Sequence, residues 1–343
     1  MRNVSDLLIR AVDPHDDADM DGFQDVYAAG ERAEDPGVGL YSREDAIAML
    51  TVDSSQLFDG FGAFVDGVMV GESVLMGSTR DNLELAQVLL WVDPQHRRRG
   101  YGTRLLTHIE DHAQARGRRI LRVQTRVGDG LEGHRHFAER HGYTLEMTEI
   151  ERRLTFPIDL ALVDRLAGEA TAYHDGYEIR TVVGPTPAEL RASYVDVRNL
   201  LVVEMPHGDL ELEAGRETLA DLDALDREHA EAGRTDVTAF ALHDGQVVAY
   251  AHAAVPGGDA THIDQYGTLV HPGHRGHRLG MAVKCAQLRV LAERFPDRAY
   301  IQTSNAEVNA HMVAINVALG FEVHQVWGEF EKRMGSGEPS GRG

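Results

Sequence analysis

The chain has 343 residues, a formal charge of −21, 43% hydrophobic residues and one cysteine. That length corresponds to about two ordinary domains, each with enough apolar residues for a core. The acidic balance argues against a nucleic-acid partner, whose phosphates demand a basic face, and does not favour an anionic membrane; the lone Cys285 excludes an internal disulfide and suits a reducing cytoplasm.

In chain order, Leu7 to Arg10 opens as a strand after an N-terminus without the apolar run of a signal peptide. A helical stretch follows, then Ala63 to Val70 reads as a hairpin with Asp66-Gly67 at its tip. Ala86 to Val92 is a near-continuous apolar strand, as burial on both faces requires. The helix from Gly102 carries Leu105, Leu106, Ile109 and His112 on one stripe, and Ile120 to Thr125 is the next strand. Pro157 to Gly176 reads as a short helical linker. The order then starts again: a strand at Glu178–Val182, a hairpin from Ala239 to Ala249 around Asp244-Gly245, a long strand from Gln265 to Val270, a helix bearing Cys285 as a buried apolar residue, and a strand at Tyr300–Thr303. The tail, residues 335–343, is small and polar and is expected to be disordered.

The second series repeats the first. Val92-Asp93-Pro94-Gln95-His96-Arg97-Arg98-Arg99-Gly100-Tyr101-Gly102 returns 178 positions later as Val270-His271-Pro272-Gly273-His274-Arg275-Gly276-His277-Arg278-Leu279-Gly280. Asp66-Gly67, Gln124-Thr125 and Gly142-Tyr143 find Asp244-Gly245, Gln302-Thr303 and Gly320-Phe321 at the same spacing. Four landmarks at one offset make a duplicated domain. The opening strands are only 170 positions apart, which places eight extra residues in the second copy, in the helical region around Asn199 to Arg234.

A buried strand running into Val-x-Pro, then arginines and glycines, then an amphipathic helix forms an anion trap. The free N–H groups at the helix start attract phosphate, and glycine lets the backbone come close. The Lys-Ser/Thr ending of a Walker loop is absent, and so are the third glycine and downstream acid of a dinucleotide fingerprint.

This turn, with Gly142-Tyr143 fifty positions after Val92 and Gly320-Phe321 in the second copy, resembles the GNAT family of N-acetyltransferases. The resemblance spans both halves. It implies an α/β fold of two tandem GNAT-like domains, each a mixed, mostly antiparallel sheet with splayed parallel strands between helices. The corresponding division is 1–156, a linker 157–176, and 177–334. It also implies acetyl-CoA as acyl donor, with the pyrophosphate on the amides of Arg98 to Thr103 and the pantetheine arm along Leu90, Trp91 and Val92. Arg97, Arg98, Arg99, Gly100, Tyr101, Gly102 and Thr103 are then coenzyme residues in the first copy. In the second they are Leu269, Val270, Arg275, Gly276, His277, Arg278, Leu279, Gly280 and Met281, joined by Asn305 and Asn309. An amine attacks the thioester directly, and no metal is implied.

The copies depart from the pattern in different ways. Arg278 stands where Gly100 does, so the second turn is either altered or aims an arginine at the pyrophosphate. Asn305, where relatives often hold the pantetheine, replaces Val127. The tyrosine that relatives use to protonate the leaving thiolate is replaced by Ala138 and Asn316. Asp264 is the favoured general base, supported by His252, with Glu84 and His262 as alternatives and Tyr266 a candidate acid. Acids from Glu204 to Asp226 read either as a rim for a cationic amine or as a solvated helix face. The second copy is the expected catalytic one. The expectation is a cytoplasmic monomer or homodimer acetylating a small-molecule amine. A coenzyme or amine sensor, and transfer of another acyl or aminoacyl group as in mycothiol synthase, are the alternatives.

Overall fold

The computed structural model describes residues 7–204, 216–306 and 309–335. They form two compact units, and neither is a contiguous stretch of chain. Unit 1 comprises residues up to Gly37, Met49–Thr148 and the chain from Val326; unit 2 comprises Val38–Ala48 and Glu149–Gln325.

The chain runs β1 (Leu8–Ala11), α1 (Asp17–Glu34), α2 (Arg43–Thr51), β2 (Gln56–Val65), β3 (Val68–Ser78), β4 (Leu85–Val92), α3 (Tyr101–Ala115), β5 (Ile120–Val127), α4 (Glu132–Arg140) and β6 (Thr144–Thr155). It continues through α5 (Leu160–Thr171), β7 (Glu178–Val183), α6 (Ala188–Glu204), α7 (Leu219–Glu231), β8 (Thr235–His243) and β9 (Gln246–Val255). It ends with β10 (His262–Val270), α8 (Leu279–Arg294), β11 (Tyr300–Ala306), α9 (Ala310–Ala318) and β12 (Glu322–Arg333).

Unit 1 orders its strands β1-β2-β3-β4-β5-β12, and unit 2 orders them β7-β8-β9-β10-β11-β6. Within each, only β4–β5 and β10–β11 are parallel. The sixth strand of each unit therefore comes from the other repeat. Val326 to Arg333 pairs antiparallel with Val127 to Ile120, and Glu149 to Thr155 pairs with Ala306 to Tyr300. Each exchanged strand buries an anchor: Phe330 is fully enclosed among Leu106, Ile109 and Leu121, and Leu154 packs with Ile263, Leu288 and Ile301. Burying an aromatic side chain contributes roughly 1.5–3 kcal/mol, so Phe330 ties the chain's end to unit 1.

Both hairpins form as the Asp-Gly signals predict. Asp66 and Gly67, like Asp244 and Gly245, have positive φ, the backbone that matches strand twist across a two-residue turn. The stretch read as a linker contains α5, whose Val163 is buried in the unit 2 core beside Leu288. The connection between α6 and α7 is the longer one, as the repeat offset predicts. Residues 205–215 of it lie outside the described residues, as does the tail from 336.

Candidate active site

The parallel pairs position the site in each unit. β4 pairs with β5 from Leu85↔Ile120 to Val88↔Val123, and β10 pairs with β11 from His262↔Tyr300 to Asp264↔Gln302; then the ladders stop. Leu89–Val92 and Gln265–Val270 keep their antiparallel neighbours alone, so a gap opens on the other edge. It leads to the turn before α3 or α8. In each turn a side chain caps a short 3-10 segment: Asp93 accepts from the Gln95 N–H at 2.7 Å and His271 Nδ1 from the Gly273 N–H at 3.1 Å. No side chain caps α3 or α8 itself, which leaves their first N–H groups to a ligand or water.

Arg278 adopts φ 51° and ψ 23°, close to the φ 85° and ψ 0° of Gly100. The second turn is thus not altered. Both turns need two left-handed residues, and each supplies one glycine and one arginine in opposite order: Arg98 (φ 62°) then Gly100, Gly276 (φ 87°) then Arg278. A left-handed non-glycine residue costs roughly 1–2 kcal/mol. Arg98→Gly is therefore expected to raise the thermal midpoint of unit 1, and Gly100→Ala, which has open space for its Cβ, to lower it through backbone strain alone.

The arginines are mostly committed elsewhere. Arg97 donates to Glu34 at 2.6 Å and to the Val92 carbonyl, Arg99 to the Gln95 carbonyl, and the Arg278 guanidinium lies 4.1 Å from the Tyr173 ring centre. His277 Nδ1 donates to the Tyr173 carbonyl. Arg98 and Arg275 are exposed. Tyr101, Leu269, Leu279 and Gly280 are buried supports, and Met281 packs on the unit 2 core. Gly102 approaches Val92 closely, and Thr103 Oγ1 is 3.2 Å from His141 Nε2. Asn309 caps α9, accepting from the Met312 N–H at 3.3 Å.

The gap differs between the units. In unit 1, Glu31 on α1 accepts from Trp91 Nε1 of β4 at 2.7 Å and from Arg126 Nη2 of β5 at 2.5 Å. One carboxylate thus bridges the strands where they diverge, and Trp327 stacks on Arg126. Gly30 fits against Trp91 because a Cβ there would stand 2.8 Å from the ring. Beside this bridge, burial and the Glu31 charge hold the Glu72 carboxyl well above the usual carboxylate range.

Unit 2 has an acid at the corresponding point. Asp264, 5% exposed, ends the parallel ladder. Its Oδ1 accepts from Gln302 Nε2 at 2.8 Å; its Oδ2, 3.5 Å from His262 Nε2, has no hydrogen-bond partner. Burial alone would raise this carboxyl, but His262 and Gln302 hold it below its ordinary value. A bulge between Gln265 and Thr268 follows immediately, whereas β4 runs in unbroken register against β3. A bulge leaves one residue out of the ladder and re-aims its neighbours.

Tyr266, in that bulge, accepts from Arg234 Nη1 at 2.8 Å. Arg234 in turn binds Asp45 at 2.5 Å and lies 4.8 Å from the Tyr41 ring centre, so residues 38–48 wall the unit 2 site. Glu84 is not part of either site: it is 63% exposed and faces Arg119 at 3.7 Å. The His252 ring is engaged by Asp236 and makes no hydrogen bond to Asp264 among the described residues. It and His229 both contact Asp236, at 2.7 and 2.9 Å, and hold that carboxyl low despite its burial. The ligand atoms of these three lie within 4.8 Å of one another, a set that can also take a metal ion. Asp221 caps α7; Glu217 pairs with Arg198, and Asp223 and Asp226 pair with Arg191, so these acids serve the fold. Cys285 is buried, its thiol pushed up to about 11 by burial.

Residues 25–143 match the Acetyltransferase (GNAT) family. The whole chain superposes on a tandem GNAT protein from the clavulanic acid biosynthesis pathway, with a TM-score of 0.79 and 25% identity over 97% of this chain and 100% of that one. The chain has the fold of a tandem GNAT protein, with a GNAT domain matched over residues 25–143. The GNAT fold recurs in a GCN5-related N-acetyltransferase of Sphaerobacter thermophilus (TM-score 0.66, 15% identity, 97% of both chains). It recurs again in a putative acetyltransferase of Pyrococcus horikoshii (TM-score 0.57, 12% identity, 98% of this chain and 92% of that one). No curated protein matches in sequence. Family and fold indicate an acetyltransferase, and the family's co-substrate is acetyl-CoA. No helix among the described residues is long and apolar enough to cross a membrane.

Four residues of the candidate site in unit 2 escape sequence reading: Tyr41, Asp45, Arg234 and Lys284. The first three meet across some 190 positions, which no local pattern reports. Lys284 does leave a trace, standing four and seven residues before the buried Leu288 and Leu291.

Proposed function

We propose that the protein transfers an acetyl group from acetyl-CoA to an amine of a small molecule, and that unit 2 does the chemistry. The observation that carries this reading is the buried Asp264 carboxylate, with a free oxygen, at the mouth of the gap and next to a bulge. In unit 1 the same gap is bridged by Trp91, Glu31 and Arg126.

The coenzyme's pyrophosphate lies on the first amides of α8 and its pantetheine arm along Gln265–Val270. An alkylammonium with pKa about 10 must lose a proton before it attacks. Asp264 takes that proton, directly or through a water. The amine lone pair then adds to the thioester carbonyl carbon, and a backbone N–H freed at Tyr266–Gly267 stabilises the oxyanion. The added nitrogen gives up its second proton to water, the C–S bond breaks, the amide forms, and the thiolate leaves with the electron pair. A thiol of pKa about 8.5, by analogy with cysteine, is a tolerable leaving group, so a water suffices where neither copy offers a tyrosine.

Calorimetric titration with acetyl-CoA of the wild type, Gly100→Glu and Gly280→Glu tests this. The expected result is a site abolished by Gly280→Glu. A single site lost only with Gly100→Glu places the coenzyme in unit 1 and overturns the assignment; no binding at all sinks the acetyltransferase reading. Binding without thiol release across a panel of amines would make the protein a sensor.

A further inference from the structure

Lys284 is 1% exposed, on the face of α8 that packs into unit 2. Among the described residues it pairs with no carboxylate. Its Nζ donates to Asn316 Oδ1 at 2.7 Å and lies 4.9 Å from the centre of the Phe321 ring. Asn316, fully buried, passes the contact on: its Nδ2 donates to Asn305 Oδ1 at 2.7 Å. The repeat places Leu106, Ala138 and Val127 at the corresponding positions of unit 1, where the first two lie in the apolar core. One unit has thus replaced three apolar residues by a connected polar chain, although burying an amine costs more than burying a leucine.

The chain has a direction. An ammonium has donors and no acceptor, so the amide it contacts must turn its oxygen inward. Asn316 then has only N–H to offer Asn305, whose oxygen must also face inward. What remains is Asn305 Nδ2, at the outer end. Asn305 lies on β11 beyond Gln302, where the parallel ladder has ended, and its main chain pairs with Ile150 on the opposite edge. The outer end of the chain is therefore at the gap. Burial also brings the Lys284 amine down to about 7, so it remains partly charged at neutral pH.

We infer that Lys284 is a positioning residue: through Asn316 it fixes the Asn305 amide with Nδ2 toward the gap, where it donates to an amide carbonyl of the coenzyme's pantetheine arm. The inference rests on the acyl-CoA reading of unit 2. Lys284 itself touches no coenzyme. Without it both amides are free to flip, and the gap is offered an acceptor as often as a donor.

The test compares coenzyme A with adenosine 3′,5′-bisphosphate, which lacks the pantetheine arm, at the site that Gly280→Glu removes. Lys284→Met is expected to weaken coenzyme A about tenfold and to leave the bisphosphate unchanged. Lys284→Gln, which keeps a donor, is expected to restore most of the loss. Adding Lys284→Met to Asn305→Ala is expected to weaken binding no further than Asn305→Ala alone, because the two act as one unit. Equal affinity in Lys284→Met, an equal loss for both ligands, or additive losses would each overturn the inference while leaving the acetyltransferase reading standing. A wild type that binds neither ligand in unit 2 overturns both. If Lys284→Met does not fold, Lys284→Leu, the residue that unit 1 carries at the corresponding position, replaces it in every comparison, and Asn305→Ala must itself weaken coenzyme A but not the bisphosphate; an unchanged coenzyme A affinity in Asn305→Ala overturns the inference.

Discussion

Asp264→Asn is expected to lower turnover by about 10²- to 10⁴-fold, the span typical of a lost general base, while acetyl-CoA affinity stays within about twofold of the wild type. The substitution preserves shape, and Asn Oδ1 can still accept from Gln302 Nε2. It removes the charge that His262 and Gln302 favour in the folded state, so a modest loss of stability at neutral pH is expected beside the loss of rate. Thiol release from acetyl-CoA with an amine panel gives the rate, and calorimetry gives the affinity. The wild-type carboxyl is held below its ordinary value, so it stays ionised across the neutral range and the rise in rate with pH reports the acceptor amine. An unchanged turnover number would remove Asp264 from the mechanism and turn attention to His262.

Lys284 governs the second large effect, on stability. Burial lowers the amine from 10.5 to about 7 in the folded protein. Between those values the unfolded chain binds more protons than the folded one, so stability rises as pH rises through that window. Below about 7 both states carry the proton, and the full cost of burying the charge is present. The change across the window is of the order of 4–5 kcal/mol by linkage. Glu72 gives an opposite slope, because its raised carboxyl makes the folded state the better proton binder above the usual carboxylate range. The difference between wild type and Lys284→Met isolates the lysine: chemical denaturation of both from pH 6.5 to 10.5, without coenzyme, should give curves that converge as pH rises. Parallel curves would mean that Lys284 stays charged in the folded state.

The parts of this fold that were legible are those written in neighbouring residues. Asp66-Gly67 and Asp244-Gly245 announce their turns, and the apolar run from Ala86 to Val92 announces a strand, although only Ala86 and Val88 of it are fully buried because the other edge opens into the gap. The repeat offset locates the longer connection after α6. At Arg278 the sequence leaves open whether the turn is altered, because the left-handed φ of Arg278 and Gly276 that preserves it is a property of the folded backbone. No motif marks the chain's two lysines, yet Lys284 is enclosed in unit 2 and Lys332 binds both oxygens of Glu110. Asp264 was legible because an acid inside a strand demands a reason. Arg234 and Asp45 were not, since the side chains meet only after the chain has folded. Nor can an alternating strand declare which sheet it will join: β6 and β12 carry the same kind of pattern and go to opposite units.

That exchange bears on how the molecule is made. A ribosome delivers the first repeat long before residues 326–333, which supply the strand beside β5. At 5–20 residues per second the wait is roughly ten to forty seconds. During it the nascent β5 edge stays open to any other strand, the kind of edge on which chains aggregate. A gene cut between the repeats should therefore yield an aggregating product, and a chimera that borrows one repeat from a relative must accept a foreign strand in both sheets.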